Sequence, residues 1–311
     1  MSAGNTTGSP PPLSAATRYC AVLGHPIRHS ASPAMQNAGL AELGLDWRYL
    51  AFDVRPEALR TAIAGAQAMG FLGLNLTVPH KLLALDLVDV LDESARTWGA
   101  VNTIRFEGQA GDGSWQPLGA FTGPPPAAIR THGFNTDAAA LARSLREDLG
   151  VDPTGASVVL LGAGGAGRAA ALKLAAEQVA HLYLVNRTTA KAEALAEEIR
   201  ARHPGLPVTV GYPAAKVDLV VNATACGLHP ADGSPLDGAP FSVAQAGAVY
   251  DMIYRPVETP LLAAARAAGA RTANGLGMLL HQGADALELW SGRPAPRAVM
   301  RAALESHIYG I

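Results

Sequence analysis

The segment Gly162-Ala163-Gly164-Gly165-Ala166-Gly167 follows the apolar run SVVLL (157–161) and sets its glycines at G-x-G-x-x-G spacing. The first two permit a tight turn and close approach of backbone to a pyrophosphate. The third lets a helix pack on the preceding strand, and the free N–H groups of that helix start favour an anion. Glycines also serve turns alone, so the motif counts here because a strand precedes it, a helix follows, and a second strand, 181–185, lies at the right distance. About 20 residues on, an NAD site carries an acid for the ribose hydroxyls. Here Asn186-Arg187-Thr188 follows the second strand, the first acid is Glu193, and Lys191 adds a cation one turn further on. An arginine fits a 2′-phosphate that a carboxylate would repel, so NADP is the expected cofactor. Cations at a helix start oppose the helix dipole, a conflict that a bound phosphate resolves.

Four other clusters carry polar chemistry. Ser30 and Ser32 lie in the loop GHPIRHSASP, where two hydroxyls beside exposed N–H groups suit a carboxylate. The alternative is that Ser32 only caps the helix that Pro33 opens. Asn75-Leu76-Thr77-Val78-Pro79-His80-Lys81 sets an amide, a hydroxyl and a lysine just past a strand end, where open α/β sheets place ligands. Asn102-Thr103 and Asn135-Thr136-Asp137 complete the set, although Asn and Asp also favour turns and helix caps by themselves.

These residues must be positioned by an α/β fold. Strands are expected at 18–23, 46–52, 71–76, 101–106, 157–161, 181–185, 207–211, 217–222 and 248–252. Helices are expected at 33–43, 56–69, 137–149, 165–177, 188–201, 277–291 and 294–306. The alternation implies largely parallel sheets. Residues 108–132, dense in Gly and Pro, read as an irregular surface excursion, and residues 1–17 as a flexible tail, not a secretory signal. The 311 residues, 49% hydrophobic and 16% charged, suffice for two domains. A net charge of -2 gives no reason to expect a nucleic acid or an anionic membrane as partner, and no apolar run spans a membrane. The cysteines, Cys20 and Cys226, suggest reduced thiols in a cytoplasmic protein. The nine histidines show no metal-ligand spacing, so no metal is expected.

GHPIRHSASPAMQN, NLTVPHK, GAVNTI, GFNTD, GAGGAGRA, NRT, VNATACG, DMIY and GLGMLLHQGADA occur in that order. Together they make residues 18–307 resemble the shikimate dehydrogenases. The resemblance implies an NADP-dependent oxidoreductase that interconverts 3-dehydroshikimate and shikimate on the route to chorismate and the aromatic amino acids. It also implies a substrate-binding domain over 18–136, completed by helices at 277–311, an NADP-binding Rossmann domain at 137–276, and a cleft between them. A homodimer is compatible with it.

Carried over by position, Lys81 and Asp137 form the catalytic pair. Ser30 and Ser32 hold the carboxylate, Thr77, Asn102 and Gln282 bind ring hydroxyls, and Tyr254 lies near the carboxylate. Gly162, Ala163, Gly164, Gly165, Ala166, Gly167, Asn186, Arg187, Thr188 and Lys191 hold the dinucleotide, with Gly275 and Met278 beside the nicotinamide. Gln36 stands where the family usually has histidine, Ala225 where it has serine, and Ala138-Ala139-Ala140 where glycines are common. Two other readings remain open: a paralogue acting on quinate or aminoshikimate, and a nucleotide-binding regulator without turnover.

Overall fold

The computed structural model describes residues 12–123, 126–229 and 231–311. The chain divides into two compact units, Met1–Thr136 with Leu280–Ile311, and Asp137–Leu279.

The first unit begins with β1 (Arg18–Gly24), α1 (Ser32–Glu42), β2 (Trp47–Asp53), α2 (Leu59–Ala68), β3 (Gly73–Leu76) and α3 (His80–Leu83). It continues with β4 (Val90–Leu91), α4 (Glu93–Trp98), β5 (Thr103–Gln109), β6 (Trp115–Pro117) and β7 (Ile129–Phe134). The strand order is β2-β1-β3-β5-β7-β4, with β6 paired to β5. β1 is parallel to both neighbours, and Cys20, Ala21, Val22 and Leu23 are all buried, as a strand covered on both faces requires.

The expectation of largely parallel sheets holds for half of this unit: β1–β2, β1–β3 and β4–β7 are parallel, but β5 runs antiparallel to β3, β6 and β7. A parallel return needs a crossover element, commonly a helix of several turns. The connections flanking β5 carry only the short helices α3 and α4 on one side and a hairpin on the other. The irregular excursion expected at 108–132 is likewise corrected in part, since β5 reaches Gln109, β6 pairs back on it and β7 starts at Ile129, with irregular backbone between them. Asp112-Gly113, counted as loop composition, is the hairpin turn itself, closed by Ala110 N–H to Ser114 O at 2.8 Å. Residues 124 and 125 of this stretch lie outside the described residues. So do residues 1–11 of the expected tail, whose far end is no tail. Thr17 is buried, and its hydroxyl donates to Asp46 at 3.0 Å.

The second unit comprises α5 (Asp137–Glu147), β8 (Ser157–Leu161), α6 (Gly165–Ala176), β9 (His181–Val185), α7 (Thr189–Arg202) and β10 (Val208–Val210). β11 (Val217–Asn222), β12 (Ala246–Asp251), α8 (Pro260–Ala267) and β13 (Arg271–Asn274) follow, with the first turn of α9 (Leu276–Ser291). Its sheet, β10-β9-β8-β11-β12-β13, is parallel in every pairing. Numbered within the unit, that order is 3-2-1-4-5-6, with the switch point between β8 and β11. The rest of α9 and α10 (Arg297–Tyr309) return to the first unit, where Trp290, Met300 and Leu304 are buried. α10 starts at Arg297, not at 294, because Pro294 and Pro296 restrict the residues before them.

Candidate active site

In the second unit, β8 runs into the glycine turn. Gly162 has φ +108°, and a Cβ there would lie 3.1 Å from the carbonyl carbon of Ala223, which follows β11. A Cβ on Gly167 would lie 2.1 Å from Gly162 O, so only glycine lets α6 close on the turn. By contrast, Cβ atoms on Gly164 and Gly165 would meet nothing within 4 Å. The backbone there is open for a ligand to approach, and the first turn of α6 offers unpaired N–H groups. Asn186 Oδ1 accepts from Ala163 N–H at 3.0 Å, and its amide donates to Thr188 O at 2.9 Å, tying the two strand ends together. Arg187, Thr188 and Lys191 are exposed. An open glycine turn, an amide lock and solvent-facing cations fit a dinucleotide with a 2′-phosphate.

Other loops gather at the carboxyl ends of this sheet. Asp251, fully buried, accepts from Asn222 Nδ2 (3.0 Å), Ile253 N–H (3.0 Å) and Thr259 Oγ1 (2.7 Å). Burial pushes its carboxyl up, against those hydrogen bonds. Gly275 N–H donates to Ile253 O at 3.1 Å, which sets the turn before α9 beside Tyr254. Tyr254 is half-buried, and burial pushes its hydroxyl up. Met278 N–H donates to the buried Tyr250 hydroxyl, which also shares a 2.9 Å hydrogen bond with Ser144. Asp137 is the first residue of α5 and is half-buried.

In the first unit, the loop after β1 is held by His25, whose N–H donates to Val78 O at 3.1 Å and whose ring meets Asp53 at 2.5 Å. The His25 hydrogen bond holds the Asp53 carboxyl below its ordinary range. Ser30 Oγ accepts from Ser32 N–H at 3.3 Å. Ser32 is not the cap that its sequence suggests, because α1 already includes it and Ala31 takes the cap position with no side-chain hydrogen bond. Its hydroxyl instead meets Tyr49. Pro33 still falls in the first turn, where its missing N–H is harmless.

A buried chain of polar groups runs on from there. Tyr49 OH donates to Asn75 Oδ1 at 2.7 Å, and Asn75 Nδ2 donates to Thr103 Oγ1 at 3.0 Å and to Asn102 O at 3.3 Å. Asn102 donates to Thr136 Oγ1 at 2.9 Å and accepts Thr136 N–H at 2.8 Å, while Thr136 Oγ1 donates to Gln282 O at 3.1 Å. Lys81 and Thr77 are half-buried. Lys81 O accepts Val101 N–H, next to Asn102, at 2.9 Å, and Thr77 O accepts His80 N–H at 2.8 Å.

Of the residues expected to bind substrate, Ser32, Asn102 and Gln282 thus join one network in the first unit. Ser30 attaches to it through its Oγ on Ser32 N–H, and Lys81 through its carbonyl on Val101 N–H, while the Thr77 carbonyl is bonded to His80. Asp137, Tyr254, Gly275, Met278 and the dinucleotide loop are residues of the second unit. Sequence reasoning missed Tyr49. A tyrosine in an apolar strand reads as core, and only the rule that buried hydroxyls find partners could have flagged it. Gln36 is fully buried, and its amide donates to Gly283 O at 2.8 Å. Among the described residues no His, Cys, Asp and Glu cluster could hold a metal, and no helix is long and apolar enough to cross a membrane.

A parallel 3-2-1-4-5-6 sheet with a glycine turn after its first strand, in a chain that also carries a second α/β unit, defines a two-domain Rossmann-type oxidoreductase. Residues 22–104 match the family described as shikimate dehydrogenase substrate binding domain. Residues 143–229 match shikimate / quinate 5-dehydrogenase, and 275–305 match the shikimate 5′-dehydrogenase C-terminal domain. The shikimate dehydrogenase (NADP+) of Methanopyrus kandleri is 40% identical over 303 residues, 95% of this chain and 98% of that protein. A crystal structure of a shikimate dehydrogenase in complex with NADP+ superposes with TM-score 0.80 at 34% identity, covering 98% of this chain and 99% of the other. The enzyme of Thermus thermophilus, in complex with NADP(H) and shikimate, gives 0.75 at 36%, covering 93% and 98%. The chain belongs to the shikimate dehydrogenase family.

Proposed function

We propose that the protein catalyses the reversible, NADPH-dependent reduction of 3-dehydroshikimate to shikimate, a step towards chorismate and the aromatic amino acids. Its observational support in the fold is the buried network of the first unit. That network ties Ser32, Asn102 and the main-chain carbonyl of Gln282 together, holding in one unit residues whose hydroxyls and amides suit a polyhydroxylated ring acid. Ser30 and Ser32 receive the carboxylate, and Thr77, Asn102 and Gln282 receive ring hydroxyls, with Tyr254 near the carboxylate. Residues 162–167 with Asn186, Arg187, Thr188 and Lys191 hold NADP, and Gly275 and Met278 take the nicotinamide side. The bound cofactor supplies the hydride for the carbonyl carbon. Lys81 stabilises the charge that builds on the carbonyl oxygen and donates the proton that completes the new hydroxyl. Asp137 accepts a hydrogen bond from a ring hydroxyl or from Lys81 and orients it. In this reading residues 18–136 with 277–311 form the substrate domain and 137–276 the NADP domain. The enzyme works in the cytoplasm on a small molecule, a compartment that suits its free cysteines, Cys20 and Cys226.

The test is the steady-state rate of NADPH formation by purified protein with shikimate and NADP, beside that of NADH formation with quinate and NAD. Turnover confined to the first pair is expected. NADPH binding without turnover on either pair would refute the proposal and leave a regulator.

A further inference from the structure

Tyr49 is buried and lies outside every role assigned above. It sits on β2, the edge strand of the first unit's sheet, and is 1% exposed. Its backbone is clamped by Asn37 of α1, which donates from Nδ2 to Tyr49 O and accepts Tyr49 N–H, both at 2.9 Å. Its ring lies 6.1 Å, centroid to centroid, from the fully buried Trp290. The phenol is therefore fixed at both ends, and its hydroxyl touches two polar side chains, Ser32 and Asn75. Ser32 comes from the loop assigned to the carboxylate. Asn75 holds Asn102 and Thr103 at the start of β5.

We propose that the Tyr49 hydroxyl is a positioning group that fixes the carboxylate-binding Ser32 against the ring-hydroxyl-binding Asn102 by way of Asn75. The proposal rests on the substrate reading given above. The phenol can donate to either neighbour, Asn75 Oδ1 or Ser32 Oγ. When no carboxylate is bound, Ser32 donates to the phenol and the phenol to Asn75. When a carboxylate accepts the Ser32 hydrogen bond instead, the phenol O–H is shared between Asn75 Oδ1 and Ser32 Oγ, so the tie to Asn75 is kept and Ser32 holds its place as donor to the carboxylate. Burial pushes the phenol's own ionisation well above its ordinary range, so it stays protonated and acts by position, not as an acid. The distance between carboxylate and ring-hydroxyl contacts is thereby set by one rigid aromatic side chain and not by the loop after β1 alone.

The experiment is steady-state kinetics of the full chain carrying Tyr49→Phe, Ser32→Ala or both, with shikimate and with shikimate methyl ester. Removing one hydrogen bond to the carboxylate site should raise KM for shikimate about tenfold. KM for NADP should stay unchanged and kcat should stay within about threefold. With the ester, which carries no carboxylate charge, the Tyr49→Phe penalty should largely vanish. The double variant should be no worse than Ser32→Ala alone, because the phenol acts through Ser32. A KM for shikimate within about twofold of wild type overturns the proposal. So does a penalty that adds fully to that of Ser32→Ala, or one that falls equally on NADP. If the phenylalanine chain does not fold, 4-fluorophenylalanine replacing Tyr49 fills the hydroxyl's space without donating and is held to the same criteria. A wild-type chain without shikimate turnover would refute the underlying reading. An active wild type with an indifferent Tyr49→Phe refutes this inference alone.

Discussion

At the residue scale, the assigned chemistry concentrates on two cations. If Lys81 provides the proton, Lys81→Ala lowers kcat by on the order of 10²-fold or more. The dissociation constant of NADPH stays near wild type, since the lysine belongs to α3 of the first unit and the glycine turn to the second. Fluorescence titration and steady-state rates read both quantities, and normal turnover would remove Lys81 from the mechanism. Arg187 is the second cation. It is exposed just after β9; in the proposed reading it makes a charge-assisted contact with the 2′-phosphate and none with an unphosphorylated ribose. Arg187→Ala should weaken NADP by about tenfold or more and leave NAD unchanged. Equal losses for both cofactors would take the 2′-phosphate away from Arg187. Such residues stand out in a sequence because their signal is local: an Arg after a second strand, or a Lys past a strand end. Tyr49 does not, because its partners Ser32 and Asn75 come from other elements and only the folded sheet brings them to it.

At the element scale, the antiparallel half of the first sheet carries a charged cluster unrelated to any assigned ligand. Glu107 on β5 is 1% exposed and accepts from Arg130 Nε at 2.7 Å, Arg105 Nε at 3.0 Å and the His132 ring at 3.0 Å. Arg130 also covers the Trp115 ring of β6 at 4.3 Å, so the cluster staples β5, β6 and β7. Burial alone would raise the Glu107 carboxyl, but the hydrogen bonds from His132, Arg105 and Arg130 outweigh it and hold it below its ordinary range. A carboxyl lowered in the folded state contributes stability at pH values above its unfolded pKa, about 4.3, and loses it as pH falls through the folded value. Glu107→Gln should therefore cost about 3–5 kcal/mol near neutral pH and flatten the loss of stability on acidification. Urea unfolding at neutral and acid pH checks this, and an unchanged acid limb would exclude the cluster as its cause. The strands that form this staple were the least legible part of the chain. Long helices and buried parallel strands announce themselves by periodicity, as β8, α6 and β9 do. β6 spans only Trp115–Pro117, and the hairpin that makes it possible turns on Asp112-Gly113, residues equally at home in a loop. β13 and α8 escaped for a related reason: Arg271–Asn274 has no alternation, and the Ala-rich run before it lacks a strong polar face. Antiparallel pairing is a property of partners, and no single strand encodes it.

At the scale of the whole molecule, the first unit is discontinuous, built from Met1–Thr136 and completed by Leu280–Ile311. That completion supplies core. Trp290 of α9 is 1% exposed, donates from Nε1 to Ile104 O at 3.0 Å, and packs so closely on Gly73 that a Cβ there would lie 1.9 Å from its indole nitrogen. On α10, Met300 and Leu304 are fully buried, and Met300 packs against Gly39 of α1. Truncating a single large core side chain of this kind costs about 3–5 kcal/mol, against a total stability of about 5–15 kcal/mol for a whole domain. Losing Trp290, Met300 and Leu304 together exceeds what the first unit can spare. A chain ending at Leu279 should therefore leave residues 12–136 open to protease, while Asp137–Leu279, whose parallel sheet is complete within itself, stays protected and keeps its affinity for NADP. Limited proteolysis with and without NADP, read by mass spectrometry, separates the two halves. Equal protection of both would show that the last two helices add nothing essential to the first sheet. Equal digestion would show that the dinucleotide sheet cannot stand without them.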